Sequence, residues 1–211
     1  MANYLVRVGL PDRPGALGAV ASRIGAVGGD VVSIDILQRD GGEVVDELGV
    51  VLAGADLVSL LRDEILEVDG VTVESLRSVD GPLPDRHAEI LEYATDLFRQ
   101  PDPEDALRYL TSRARRSLCG SFAAVLEPGG GAVAVAGEAP GSAELAALVP
   151  DPERPDPGVA RAWLARSGVL LVVGRPDLVF RNRERLRLST MAELADHRWQ
   201  ELTAQDGATA R

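Results

Sequence analysis

Between Tyr4 and Val79 the apolar residues change period in the order strand, helix, strand, strand, helix, strand, and few folds accept that order. Tyr4, Val6, Val8 and Leu10 alternate as in a half-buried strand. Pro11-Asp12-Arg13-Pro14-Gly15 breaks the pattern. Leu17, Val20, Ala21 and Ile24 follow at helical spacing, and Gly28-Gly29 stops the helix. Val32, Ile34 and Ile36 make a second strand, Asp40-Gly41-Gly42 a hairpin turn, and Leu48, Val50 and Leu52 a third strand. Asp56 caps a helix with Leu57, Leu60, Leu61 and Ile65 on its apolar face, and Asp69-Gly70 leads into a last strand, Val71 to Val79. The order predicts an antiparallel sheet with both helices on one face. The bare face or an edge strand must then meet another domain or another subunit.

Asp80-Gly81-Pro82-Leu83-Pro84-Asp85 has the composition of a linker. It divides the chain into a first domain over 1–80, a linker over 81–85, a second domain over 86–203 and a flexible tail over 204–211. In the second domain Ile90, Leu91, Ala94, Leu97 and Phe98 fit one helical stripe ended by Pro101. Leu107, Leu110, Ala114 and Leu118 fit another, on a helix starting at Glu104. Strands are expected over Phe122–Leu126 and Ala132–Ala136, joined through Pro128-Gly129-Gly130-Gly131. A loop over 138–158 with a short helix around Ala143–Leu148 precedes a helix near Val159–Arg166 and an apolar strand, Val169–Val173. A last helix runs from Val179 to Thr203, with Leu188, Met191, Ala195, Trp199 and Leu202 on one side. The fold class is α+β.

Composition removes several chemistries. All 22 basic residues are arginine, so a Schiff-base lysine and a P-loop or kinase lysine are impossible. A net charge of −11 argues against nucleic acid as a partner, since phosphate binding needs a positive field. A single cysteine closes no intramolecular disulfide. The start MANYLVRVGL lacks the pattern of a secretory signal, and no apolar run has the roughly 18 residues of a membrane span. A cytoplasmic location, away from membranes, is the expectation.

The stretch Leu10-Pro11-Asp12-Arg13-Pro14-Gly15-Ala16-Leu17, set between the first strand and the first helix, resembles the turn of an ACT domain. The resemblance covers residues 3–80 and includes Gly28-Gly29-Asp30 before the second strand. It implies a ferredoxin-like βαββαβ fold and a regulatory module that binds amino acids between paired domains. The candidate ligand-binding residues are Asp12, Arg13, Gly15, Ala16, Leu17 and Asp30. The N–H groups of Gly15, Ala16 and Leu17 would face a ligand carboxylate at a helix N-terminus, where negative charge is favoured. Asp12 and Asp30 stand where amino-acid-binding members often have asparagine; an aspartate accepts from an ammonium but donates nothing to a carboxylate. Alternatively Pro14 and Gly15 only shape the turn and Asp12 only caps the helix. Residues 86–203 resemble a small GAF domain in the order of their elements, with a second ACT domain as the other reading.

Other candidate groups carry plainer readings beside the chemical ones. His87 and His197 lie far apart in sequence, so a metal pair or acid–base couple would need them to converge. Cys119 lacks a partner cysteine, and a catalytic thiolate there would draw on Arg115 and Arg116; a small apolar role is the plainer reading. Arg181, Arg183, Arg185 and Arg187 could grip an anion or form a solvated face, and Gly129-Gly130-Gly131 reads as a hairpin turn. The pattern requires no cofactor and no metal.

The function expected is a non-catalytic regulatory sensor that binds a small metabolite, an amino acid, through the first domain. The alternatives are an enzyme or an enzyme's regulatory subunit with its chemistry in residues 86–203, and an interaction scaffold with an empty site. A homodimer is expected, through the bare sheet face or the stripe of the last helix.

Overall fold

The computed structural model describes residues 1–149 and 156–209, side chains of 206–209 excepted. It contains two compact units, Met1–Arg86 and His87–Arg211. In the first, β1 (Ala2–Pro11), α1 (Ala16–Ala26), β2 (Asp30–Asp40), β3 (Glu43–Leu52), α2 (Val58–Leu66) and β4 (Thr72–Val79) follow one another as βαββαβ. The strands form one antiparallel sheet in the order β2-β3-β1-β4. Val6 and Val8 of β1 and Leu48 and Val50 of β3 pack against Val20 and Ile24 of α1 and Leu61 and Ile65 of α2. Gly28 and Gly29 end α1 for separate reasons. Gly28 takes φ +73°, and a Cβ on Gly29 would lie 2.8 Å from Ile24 Cγ2 and 3.0 Å from its carbonyl oxygen.

The helix-free sheet face is not left bare. Leu5, Arg7, Val45 and Glu47 are all buried. Residues 81–86 engage the sheet: Asn3 Nδ2 donates to the Gly81 carbonyl at 2.6 Å, and Arg86 pairs with Glu47. Leu83 sits 3.2 Å from where a Gly49 Cβ would be.

The second unit comprises α3 (Arg86–Phe98, from its second residue on), α4 (Pro103–Ser117), β5 (Phe122–Leu126), β6 (Ala132–Gly137), α5 (Ser142–Ala146), β7 (Val159–Leu164), β8 (Val169–Gly174) and α6 (Asn182–Thr209). Its antiparallel sheet has the order β6-β5-β8-β7. Leu110, Ala114, Leu188 and Met191 pack on one face with Leu171 and Val173, while Leu145 and Val149 meet Leu170 and Val172 on the other. The helix expected near Val159–Arg166 is instead β7. Ala160, Ala162 and Leu164 are buried at period two, and pairing with β8 overrides the helical bias of a short Ala-rich stretch. Asp196 of α6 holds the turn after β7, accepting from the N–H groups of Arg166 at 2.8 Å and Ser167 at 3.1 Å.

Other differences have equally local causes. On α3 the inward residues are Tyr93 and Leu97, while Leu91 and Phe98 are exposed. Tyr93 donates to the Met191 carbonyl at 2.7 Å and stacks on Tyr109. α6 starts three residues later than Val179 and continues past Thr203 to Thr209, so the expected tail is helical as far as it is described. The end of the tail, 210–211, and residues 150–155 of the expected loop lie outside the described residues. Leu188, Met191, Ala195 and Leu202 are buried in their own unit's core, with Trp199 packed against it, so this stripe is not open for helix pairing. The basic run is not one solvated face either. Arg185 donates to the Val159 carbonyl at 2.9 Å, and Glu184 forms a buried ion pair with Arg175.

Helix α4 ends as α1 does, with Cys119 in the glycine slot. Gly120 N–H bonds to the Arg115 carbonyl and Cys119 N–H to that of Arg116, and Cys119 takes φ +51°. A left-handed L-residue costs roughly 1–2 kcal/mol. Cys119→Gly is therefore expected to stabilise the second unit by about 1 kcal/mol, part of the relief being offset by the freer unfolded chain. A urea midpoint, read from tryptophan fluorescence, that stays put or falls would contradict this.

Candidate functional site

The break between β1 and α1 is held by local bonds. Gly15 precedes α1 at φ +88°, a conformation that a side chain resists. Asp12 N–H donates to the Gly42 carbonyl at 2.8 Å. Its carboxylate is clasped by Arg39 near the end of β2, Nε to Oδ2 at 2.8 Å and Nη2 to Oδ1 at 2.9 Å. The turn is thus pinned to the β2–β3 hairpin from both backbone and side chain. Beside it opens a cleft of about 300 Å³, at the lower end of the range that takes small ligands. Leu10, Leu17, Ile36 and Val44 supply apolar walls; Asp12, Arg13, Arg39 and Asp46 supply charge.

The six residues singled out in the sequence fare differently. Asp12, Arg13, Ala16 and Leu17 line the cleft, and Gly15 sets the turn beside it. Asp12 is not left open to accept from a ligand, because Arg39 holds both its oxygens. Nor is the Ala16 N–H, which donates to the Arg13 carbonyl at 3.3 Å. Arg13 reaches the Asp69 carboxylate at 3.8 Å. Asp30 does not join the group. It lies exposed at the far end of β2, opposite Val51, roughly 20 Å along an extended strand from Ile36.

Two residues that the sequence reading missed are central. Arg39 reaches the turn from β2. Asp46 sits among the core-facing positions of β3, paired with Val8 on one side and Ile36 on the other. It is 2% exposed, and its Oδ1 has no hydrogen-bond partner among the described residues. A signal was present: in Val44, Asp46, Leu48, Val50, Leu52 one carboxylate interrupts an apolar period-two run. Burial, then the charge of Asp35, pushes the Asp46 carboxyl above its ordinary range.

The other candidates form no comparable site. Among the described residues no group of three or more His, Cys, Asp or Glu is placed to hold a metal ion. His87 is exposed and His197 partly buried, each on its own helix. Gly130 takes φ +85° in a turn whose N–H groups are used internally, Gly130 to the Glu127 carbonyl and Glu127 to that of Gly131. In the second unit a cavity lined by Glu89, Tyr93, Arg113 and Met191 measures about 10 Å³, room for one water. No described helix is long and apolar enough to cross a membrane.

No family model matches the chain, and no curated protein matches it. Solved structures do. The ACT domain from the GTP pyrophosphokinase of Chlorobium tepidum is 16% identical, with a TM-score of 0.31 over 37% of this chain and 100% of that one. A protein described as unknown, from Galdieria sulphuraria, matches over 94% of each chain at 12% identity and a TM-score of 0.35. A formyltetrahydrofolate deformylase from Pseudomonas putida KT2440 matches at 12% identity and a TM-score of 0.30, over 46% of this chain and 37% of that one. The structural neighbours of the chain thus include ACT-domain structures, at low overall similarity.

Proposed function

We propose that the protein is a non-catalytic regulatory sensor whose first unit, an ACT-like module, binds a small metabolite, an amino acid, in the cleft beside the β1–α1 turn. One observation carries this reading: a turn braced by Asp12 and Arg39 borders an apolar cleft that also contains a buried, incompletely bonded carboxylate. The second unit is then a GAF-like module that relays or receives the signal. An enzyme with its chemistry in the second unit is the competing reading. The test is thermal unfolding of the full chain with each of the twenty amino acids at millimolar concentration. A ligand that binds only the folded state raises the melting temperature by mass action. At least one amino acid is expected to do so, and an unmoved transition with all twenty would refute the proposal.

Two copies are proposed to pair through β2. The stripe of the last helix is buried in its own unit, whereas Val32, Ile34 and Ile36 form an exposed apolar row on this edge strand. Ile36 also lines the cleft, which would couple pairing to binding. Light scattering should report twice the chain mass, and Ile34→Glu should return it to one.

A further inference from the structure

Resting on the reading of the cleft as a ligand site, we propose that Asp46 is its specificity-determining residue and takes the primary ammonium group of a ligand with a branched apolar stem. A carboxylate that is 2% exposed should be fully bonded, because burying an unbonded charge costs far more than one hydrogen bond returns. Here Oδ1 lacks a partner among the described residues. The cations of the cleft are engaged elsewhere, Arg39 with Asp12 and Arg13 with Asp69. Asp35 adds further negative charge. A cation from outside would pair with it.

The surroundings narrow its kind. A metal ion would need further ligands, and no cluster of three is present among the described residues. A guanidinium is planar and prefers two open carboxylate oxygens, whereas an ammonium is a compact point donor that one buried oxygen can hold. Leu17, Ile36 and Val44 line the same cleft and suit an apolar group carrying the ammonium. A volume of about 300 Å³ has room for a whole branched aliphatic amine or amino acid.

The probes are leucine, 3-methylbutylamine, which keeps the ammonium and loses the carboxylate, and 4-methylpentanoate, which does the reverse. Each is titrated calorimetrically into the full wild-type chain and into Asp46→Asn, and both proteins are melted without ligand. Leucine and the amine are expected to bind wild type, the acid at least about tenfold more weakly than the amine. Asp46→Asn should weaken the amine by about tenfold or more and leave the acid within about threefold. Without ligand, Asp46→Asn should melt above wild type, since it removes a desolvated charge that a structural role would have needed. Tighter binding of leucine than of the amine would mark an amino acid as the ligand, and amine binding of equal strength a simple amine; either supports the assignment of Asp46 when Asp46→Asn weakens the amine. The assignment is overturned alone if leucine binds but the acid matches the amine, if Asp46→Asn keeps the amine within about threefold, or if the unliganded variant melts lower. If none of the three probes binds wild type, the reading of the cleft as a site for this class falls with it.

Discussion

Arg175→Met is expected to cost the second unit about 3–5 kcal/mol, the range for breaking one side of a buried ion pair. Arg175 follows β8, and Glu184 lies in the first turn of α6. The guanidinium meets the carboxylate at two points, both 2.9 Å, and the two residues are buried. Its remaining N–H groups donate to the carbonyls of Leu178 at 2.8 Å, Leu118 at 2.7 Å and Val179 at 2.9 Å, so every donor is used. The Phe180 ring stacks 3.9 Å from the guanidinium carbon. Glu184 also accepts the Arg181 N–H at 2.9 Å, as the third residue of a capped helix does. Removing Arg175 strands a buried carboxylate and three carbonyls, whereas Glu184→Gln keeps most of the bonds. The arginine variant should therefore lose more stability, and the Arg175→Met, Glu184→Leu double variant should be no worse than Arg175→Met alone. Both tryptophans, Trp163 and Trp199, lie in this unit, so urea denaturation followed by their fluorescence reads it selectively. A loss below about 1 kcal/mol for Arg175→Met would show that water reaches the pair and screens it.

Glu47→Leu should destabilise the first unit by a similar amount, about 3–5 kcal/mol, through the same physics with the sign of the stranded charge reversed. Glu47 is 5% exposed and faces Arg7 at 3.3 Å, Arg77 at 3.6 Å and Arg86 in contact; Arg7 is itself 1% exposed. Burial alone would push its carboxyl up, but Arg86, Arg7 and Arg77 together outweigh it and hold it below the usual carboxylate range. With the folded value depressed, the unfolded chain binds the proton more readily. Glu47 then contributes stability above the ordinary carboxylate pKa and loses it as pH falls through the depressed value. Asp46, with its raised value, works the other way, and its contribution declines as pH rises through the ordinary value toward the raised one. Glu47→Gln should flatten the acid loss of stability, and Asp46→Asn should deepen it. Hydrogen exchange of the β1 and β3 amides against pH measures both. Equal acid dependence in wild type and Glu47→Gln would refute the first claim.

Much of the first unit is legible because its signals are local. Alternation in Tyr4–Leu10, helical spacing from Leu17 to Ile24 and the two glycines after α1 each state one element within a few residues, and core packing agrees with all of them. The stretch Val159–Leu164 is the counterexample. Ala-rich and six residues long, it satisfies either period, and only the ladder to β8 decides for a strand. The stripe on α6 is equally plain in sequence, but whether it meets its own core or a second copy depends on the volume its unit leaves to fill.

The candidate site divides in the same way. The residues of the turn, Asp12 to Leu17, are adjacent in sequence, so their grouping near one helix end follows from the chain itself. Only the resemblance groups Asp30 with them, and β2 carries it to the far end of the sheet. Arg39 and Asp46 enter through the β2–β3 hairpin, whose register brings Ile36 opposite Asp46 and swings Arg39 onto Asp12. Which segments of the first unit are strands and helices, and where its turn breaks, follow from the local pattern of residues. Which charges are satisfied depends on the packed strands, because pairing energies follow burial and distance across the sheet, and neither is a property of neighbours along the chain.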